Sequence, residues 1–299
     1  MTGAGSASVA YTMESDYGAG PQTDPVWRQP GIDISVGDLS VDQALERSRQ
    51  PNDPTPAGSR EGNFEGAISV SFTMTDDNFH ELVFADAGTA LPNSPMLAPS
   101  ATWYFAVDLP DGTTEERTPT GAVVTEATLG NYEQGNDVTV ELTIVYGSEP
   151  NTITTPTEAD IQQPSVSDAF TWHGASVDVD GLGQSLLSSA SISLAGLSRL
   201  RRGADRHPFD AVVDAIEPSF STDAIFTERD QLALAVDDSQ DGPVGKVPVT
   251  VSFENGQGTT IGYNLTDCQP TNYSWSDLVA PDTDLGEPVE YHVADVEVA

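Results

Sequence analysis

Lysine is almost missing from this chain. Lys246 is the only one, and with ten arginines it faces 47 aspartates and glutamates, a formal net charge of −36 over 299 residues. So few cations argue against tight phosphate binding, which needs lysine and arginine to displace counterions. Cysteine is equally scarce. Cys268 stands alone, so there is neither an intrachain disulfide nor a thiolate metal cluster, and a small buried apolar role is expected for it. No apolar run approaches the length of a membrane span, and the opening residues 1–6 lack the basic and apolar regions of a secretory signal. These absences predict a chain that stays in the cytoplasm until it is assembled or released. The sequons at Asn264 and Asn272 matter only for an exported protein.

Catalytic signatures are missing as well. No nucleophile elbow, phosphate loop, dinucleotide fingerprint or HExxH is present, and His80, His173, His207 and His292 are scattered. Carboxylate pairs such as Asp76-Asp77, Glu115-Glu116 and Asp237-Asp238 are expected from solvation at this acidity. Asp178, Asp180 and Gly181 open like a calcium loop, but the remaining ligand positions do not follow. The expectation is a protein that is not an enzyme and uses no cofactor or metal.

The residues that are present indicate a folded chain. Hydrophobic residues make up 37%, more than a disordered acidic chain carries. Extreme acidity combined with a hydrophobic core points to work in very high salt, where a short Debye length screens self-repulsion, and hence to a haloarchaeal setting.

Apolar and polar residues alternate with a period of two in Ile68, Val70, Phe72 and Met74, and again in Val138, Val140, Leu142 and Ile144. This is the pattern of strands with one buried face. The two halves repeat an order of elements. Residues 64–88 and 212–238 each read as a strand running into a short helix. Hairpins turn through Asp111-Gly112 and through 256–260. Segments 121–129 and 267–275 follow, and alternating strands at 137–146 and 288–297 close each half. In the first helix, Asp76 or Asp77 is expected to cap the N-terminus, with Phe79, Leu82 and Val83 inward and His80 and Glu81 facing water.

Residues 1–30, broken by Pro21, Pro25 and Pro30, predict an extended arm anchored by Trp27. A first domain is expected over 31–147, a proline-rich linker over 148–167 and a second domain over 168–299. Pro218 is expected to interrupt the second-half strand that matches Ile68–Met74. Residues 47–63, with Arg47, Arg49 and Arg60, predict a long exposed loop, and Arg199, Arg201, Arg202 and Arg206 occupy the matching place in the second half.

Tyr17-Gly18 lies in the arm, and the strand–helix step at 66–84, the Asp111-Gly112 hairpin, the strand 138–146 and their second-half counterparts follow it. Their order and spacing resemble tail tube proteins of long-tailed viruses, in a form with two tube domains in one chain. The resemblance covers most of residues 17–299. It implies a mainly β fold of two tandem β-sandwich or barrel domains, each with a short flanking helix. It also implies rings stacked into a conduit for viral DNA, which would pass without specific binding. The duplication implies trimeric rings with pseudo-sixfold symmetry, with hexamers as the alternative. Other tail proteins (terminator, tape measure, baseplate) would be partners, the location would be the virion tail, and the acidity would place the virus in a haloarchaeal host.

Carried onto this chain, the resemblance makes Trp27, Arg47, Arg49, Arg60, Arg199, Arg201, Arg202 and Arg206 candidate ring-stacking or subunit contacts. Against so acidic a background the second arginine cluster is expected to bind carboxylates of a neighbouring subunit rather than nucleic acid. An alternative is a tail-tip or adhesin-like β-sandwich contacting the host surface, with one ring per particle. A carbohydrate hydrolase would need two carboxylates in one cleft, and nothing singles out such a pair.

Overall fold

A computed structural model describes residues 7–86, 88–93, 97–184, 186–227, 230–236, 244–279 and 284–299. The first half runs β1 (Ala7–Met13), β2 (Trp27–Arg28), β3 (Ile32–Asp42), β4 (Glu46–Arg49), β5 (Pro56–Arg60), β6 (Glu65–Thr73), α1 (His80–Val83), β7 (Ala101–Asp108), β8 (Thr114–Arg117), β9 (Val123–Glu133) and β10 (Thr139–Tyr146). After the short β11 (Ile161–Gln162), the second half runs β12 (Ala175–Val179), β13 (Leu182–Gly183), β14 (Leu187–Ala195), β15 (Ser198–Arg201), β16 (Asp210–Val213) and β17 (Glu217–Ile225). It ends with α2 (Asp230–Val236), β18 (Val247–Glu254), β19 (Thr260–Tyr273), β20 (Gly286–His292) and β21 (Asp295–Val298). The protein is mainly β, as the alternation predicts.

One long wall of strands runs in the order β3-β6-β10-β9-β14-β17-β20-β19, each neighbour antiparallel. The first four strands belong to the first half and the last four to the second, in the same internal order. The halves meet where β14 pairs with β9, with Ser193 opposite Thr128, Leu194 opposite Ala127 and Ala195 opposite Glu126. A second layer covers one face of this wall. Over the first half it is β11-β2-β1-β7-β8, and over the second it is β12, β18, β21 and the start of β19. β19 passes from this layer into the wall at Asp267, whose φ of 53° makes the corner.

Burial follows the alternation. Ile68, Val70 and Phe72 of β6, Val140, Leu142 and Ile144 of β10, and Ile192 and Leu194 of β14 face the covering layer. Together with Tyr11, Trp103, Val251, Phe253 and Tyr263 they form one continuous core. Cys268 is buried within it, as expected of a small apolar residue. β9 kinks at Gly130 (φ 54°), where a side chain would collide with the Phe253 ring reaching across from β18.

Several expectations are corrected. The extended arm does not describe residues 7–13, which form β1, paired along its length with β7. Tyr11 and Trp103 are buried with ring centroids 5.5 Å apart. Pro218 does not interrupt its strand. It is the second residue of β17, opposite Leu194, where its carbonyl accepts from the Val293 amide, and a missing donor is tolerated at a strand start. The closing strand expected over 288–297 is two strands, β20 and β21, in different layers.

His80 does not face water. It is buried, with Nε2 2.8 Å from the Tyr263 Oη of the second half. Neither Asp76 nor Asp77 caps α1: the N-cap of this single turn is Phe79, with no side-chain cap, and Asp76 instead accepts from the Asn78 amide at 3.0 Å in the turn before it. Asp178 holds the Gly181 amide at 2.8 Å in the β12–β13 turn, a structural task for the residue that resembled a calcium ligand. Asp237-Asp238 lies outside the described residues.

Candidate assembly surfaces

The wall's second face is polar. β6 and β10 present Ser69, Ser71, Thr139, Glu141 and Thr143, and β14 and β17 present Ser191, Ser193, Ser219 and Ser221. Cross-strand partners set hydroxyl against hydroxyl or carboxylate, as in Glu141 opposite Ser71 and Ser191 opposite Ser221, whose hydroxyls lie 2.9 Å apart. None of the eight wall strands contains a lysine or arginine. The outcome is a broad hydroxylated and acidic surface.

Both ends of the wall are open among the described residues. β3 pairs only with β6, and residues 269–272 of β19 pair only with β20. Apolar side chains stand at both ends. Val36 and Val41 of β3 are each 37% exposed, while Ala190 and Leu194, which hold the same positions at the start of the second half, are 3% and 0% exposed, in the main core with β9 paired alongside. At the other end Trp275 is 44% exposed. Unpaired strand edges with apolar side chains are templates for another chain.

The predicted loops at 47–63 and 199–208 are hairpins, β4–β5 and β15–β16, both following the first wall strand of their half. The second packs back onto the first half. Arg206 donates from Nε to the Gly62 carbonyl at 3.0 Å and also pairs with Glu61 and Gln43. Arg202 lies 3.9 Å from Glu65. Within the hairpin Arg199 pairs with Asp214 at 3.2 Å, and Arg201 lies 3.6 Å from Asp210 and over the Phe209 ring. All four arginines expected to bind a neighbour's carboxylates thus have carboxylates in their own chain. Arg47, Arg49 and Arg60 differ. They are exposed and have no carboxylate partner among the described residues; Arg49 donates to the Pro54 carbonyl at 2.6 Å. Trp27 is buried against Ala10, Tyr104 and Ile161, so it anchors β2 rather than offering an external contact.

Sequence reasoning missed Arg117. From β8 it donates to Glu149 at 2.7 Å from both Nε and Nη2, to the Tyr146 hydroxyl at 3.0 Å and to the Leu39 carbonyl at 2.7 Å. Burial opposes ionisation of Glu149, yet the Arg117 hydrogen bonds outweigh it and hold this carboxyl below its ordinary range. The fork therefore ties the edge strand β3 to the covering layer and to the segment that leaves the first half. Arg117→Met is expected to cost about 2 kcal/mol in chemical denaturation, because Glu149 is left half-buried without a cation, with the Tyr146 hydroxyl as its remaining donor. Adding Glu149→Gln should recover much of it. An unchanged midpoint for Arg117→Met would refute the role.

Among the described residues no group of three or more His, Cys, Asp or Glu side chains is placed to hold a metal ion, and no helix is long and apolar enough to cross a membrane. Residues 5–292 match a family model described as phage tail tube protein. No curated protein matches the chain.

Proposed function

Because the chain belongs to the phage tail tube protein family, a structural component of the virion tail, we propose that it forms rings of three chains stacked into the conduit for viral DNA. The single observation that carries this reading is the β9–β14 junction. There the last wall strand of one half pairs with the first wall strand of the next, and the same two kinds of edge stand open at the ends of the chain. Repeating that junction between chains joins the 269–275 edge of one to β3 of the next. A head-to-tail interface lets rotation close the series into a ring, and closure removes every edge. Each half acts as one tube domain, 31–147 and 168–299, so three chains give pseudo-sixfold symmetry. The sequence match of 121–129 with 267–275 supports this, since both segments hold the same register against the closing strand of their half: Val124 faces Ile144, and Pro270 faces Tyr291.

The wall's hydroxylated, acidic face lines the lumen. DNA phosphates meet no cation there and slide without being gripped. The acidity suits a haloarchaeal host, with assembly in its cytoplasm onto terminator, tape measure and baseplate partners. The test is negative-stain electron microscopy of the purified chain in molar salt. Hollow tubes with three chains per ring are expected. Isolated single rings would favour a tail-tip protein, and a persistent monomer would overturn the proposal.

A further inference from the structure

The hairpin β15–β16 fills a notch in the first half whose twin in the second is bordered by Leu91, Pro92 and Asn93 and is filled by no hairpin among the described residues. Its turn places His207 against Phe64, with ring centroids 4.9 Å apart, and sets His207 Nδ1 2.8 Å from the Gly147 carbonyl. The Phe64 amide donates to the Arg206 carbonyl at 3.1 Å. Phe64 is the residue just before β6, and Gly147 follows β10. In the second half the residue just before β17 is Ile216. The residue that follows the closing strand in the same register is Ala294, since Val293 donates to Pro218 as Tyr146 lies opposite Gly66. Ile216 and Ala294 line a groove of ≈ 350 Å³ together with Asp214, Pro218 and Asp295. Its lining is mainly polar, with Ile216, Pro218 and Ala294 as apolar points, and its exposed rim is acidic through Asp295 and through Asp214, which also pairs with Arg199, with Glu217 adjoining.

Among the described residues the arginines that lack a carboxylate stand on the other hairpin, where Arg47, Arg49 and Arg60 flank a fully exposed turn containing Pro51 and Pro54. Every other basic residue among those described has a carboxylate of its own chain within 4.0 Å. We propose that the β4–β5 hairpin of one chain docks into the Ile216–Ala294 groove of its neighbour in the same ring. Pro51 and Pro54 would sit against Ile216, Pro218 and Ala294, with the arginines against the acidic rim. The inference rests on the ring reading above and specifies its partner surface, a second copy of this chain. It also reassigns these arginines from stacking between rings to sealing within one. In molar salt the Debye length is about 3 Å, so only arginine–carboxylate pairs in direct contact retain their attraction. A groove that seats the hairpin provides such contact.

The test combines a cysteine pair, Asn52→Cys with Ala294→Cys, and a triple reversal, Arg47→Glu, Arg49→Glu and Arg60→Glu. Oxidation of the assembled cysteine variant is expected to give covalent species that stop at the size of one ring. The reversal, on an exposed hairpin, should leave the melting temperature unchanged and raise the concentration needed for assembly at least tenfold. Adding Glu217→Arg and Asp295→Arg should restore it. Tubes that assemble normally with no cross-link and no response to the reversal overturn the docking while leaving the tube function intact. A covalent ladder running past one ring places the hairpin between rings and also overturns it. A wild-type chain that stays monomeric overturns both.

Discussion

Lysines placed together at Val36 and Val41 are expected to leave the chain folded and stop it assembling. Each valine is 37% exposed in the isolated chain, so the substitutions should change stability by only about 0.5 kcal/mol each. In the proposed ring both side chains move to positions equivalent to those of Ala190 and Leu194, which are almost completely buried in the core beside a paired strand. Two ammonium groups buried there without partners would cost several kcal/mol. At about 1.4 kcal/mol per factor of ten, the assembly concentration should rise more than a hundredfold. Sedimentation velocity in high salt, read beside a thermal melt, separates the two effects. Leu194→Lys is the control: the same charge at the internal junction should unfold the chain, since that side chain is buried already. Tubes formed by Val36→Lys/Val41→Lys at wild-type concentrations would refute β3 as a ring edge.

A second large effect is expected at His80. Burial among Phe79, Phe84 and Tyr263 pushes its pKa down to about 4, only partly opposed by Asp77. The unfolded chain takes up this proton near pH 6.5. The folded group is depressed relative to the unfolded one, so its contribution is fully present above pH 6.5 and is lost as the pH falls towards 4. Over the window from pH 6.5 to 5 the loss is about 2 kcal/mol. Comparing wild type with His80→Gln across that window isolates the histidine, because the other titrating groups are common to both. The wild-type melting temperature should fall more steeply with acid. Parallel curves would show that His80 does not stay neutral in the fold.

The reading of these residues from sequence had a clear limit. The strands β6 and β10 were legible because each has one face in the core and one in water, which writes a period of two into the residues. β1 was not legible. Ala10 packs against Trp27 and Tyr104 while Tyr11 beside it packs into the main core, so both faces are covered and the alternation disappears. His80 looked like a surface residue because its partner, Tyr263, lies in the other half of the chain. The arginines were found as clusters, but their roles depended on distance in space. Arg202 and Arg206 meet Glu65 and Glu61 across the halves, a pairing that no local pattern encodes. The open edges were equally silent, since whether Val41 is buried depends on which strand comes to lie beside β3.

The continuous chain between β10 and β14 has a mechanical consequence. In the proposed ring, three lateral seams are tethered within chains, so each forms at an effective concentration set by the linker and independent of dilution. The other three lose translational and rotational freedom when they form. Ring closure then joins three bodies instead of six, and a tube under torsion yields along three lines rather than six. What breaks off is a whole chain with its internal seam intact.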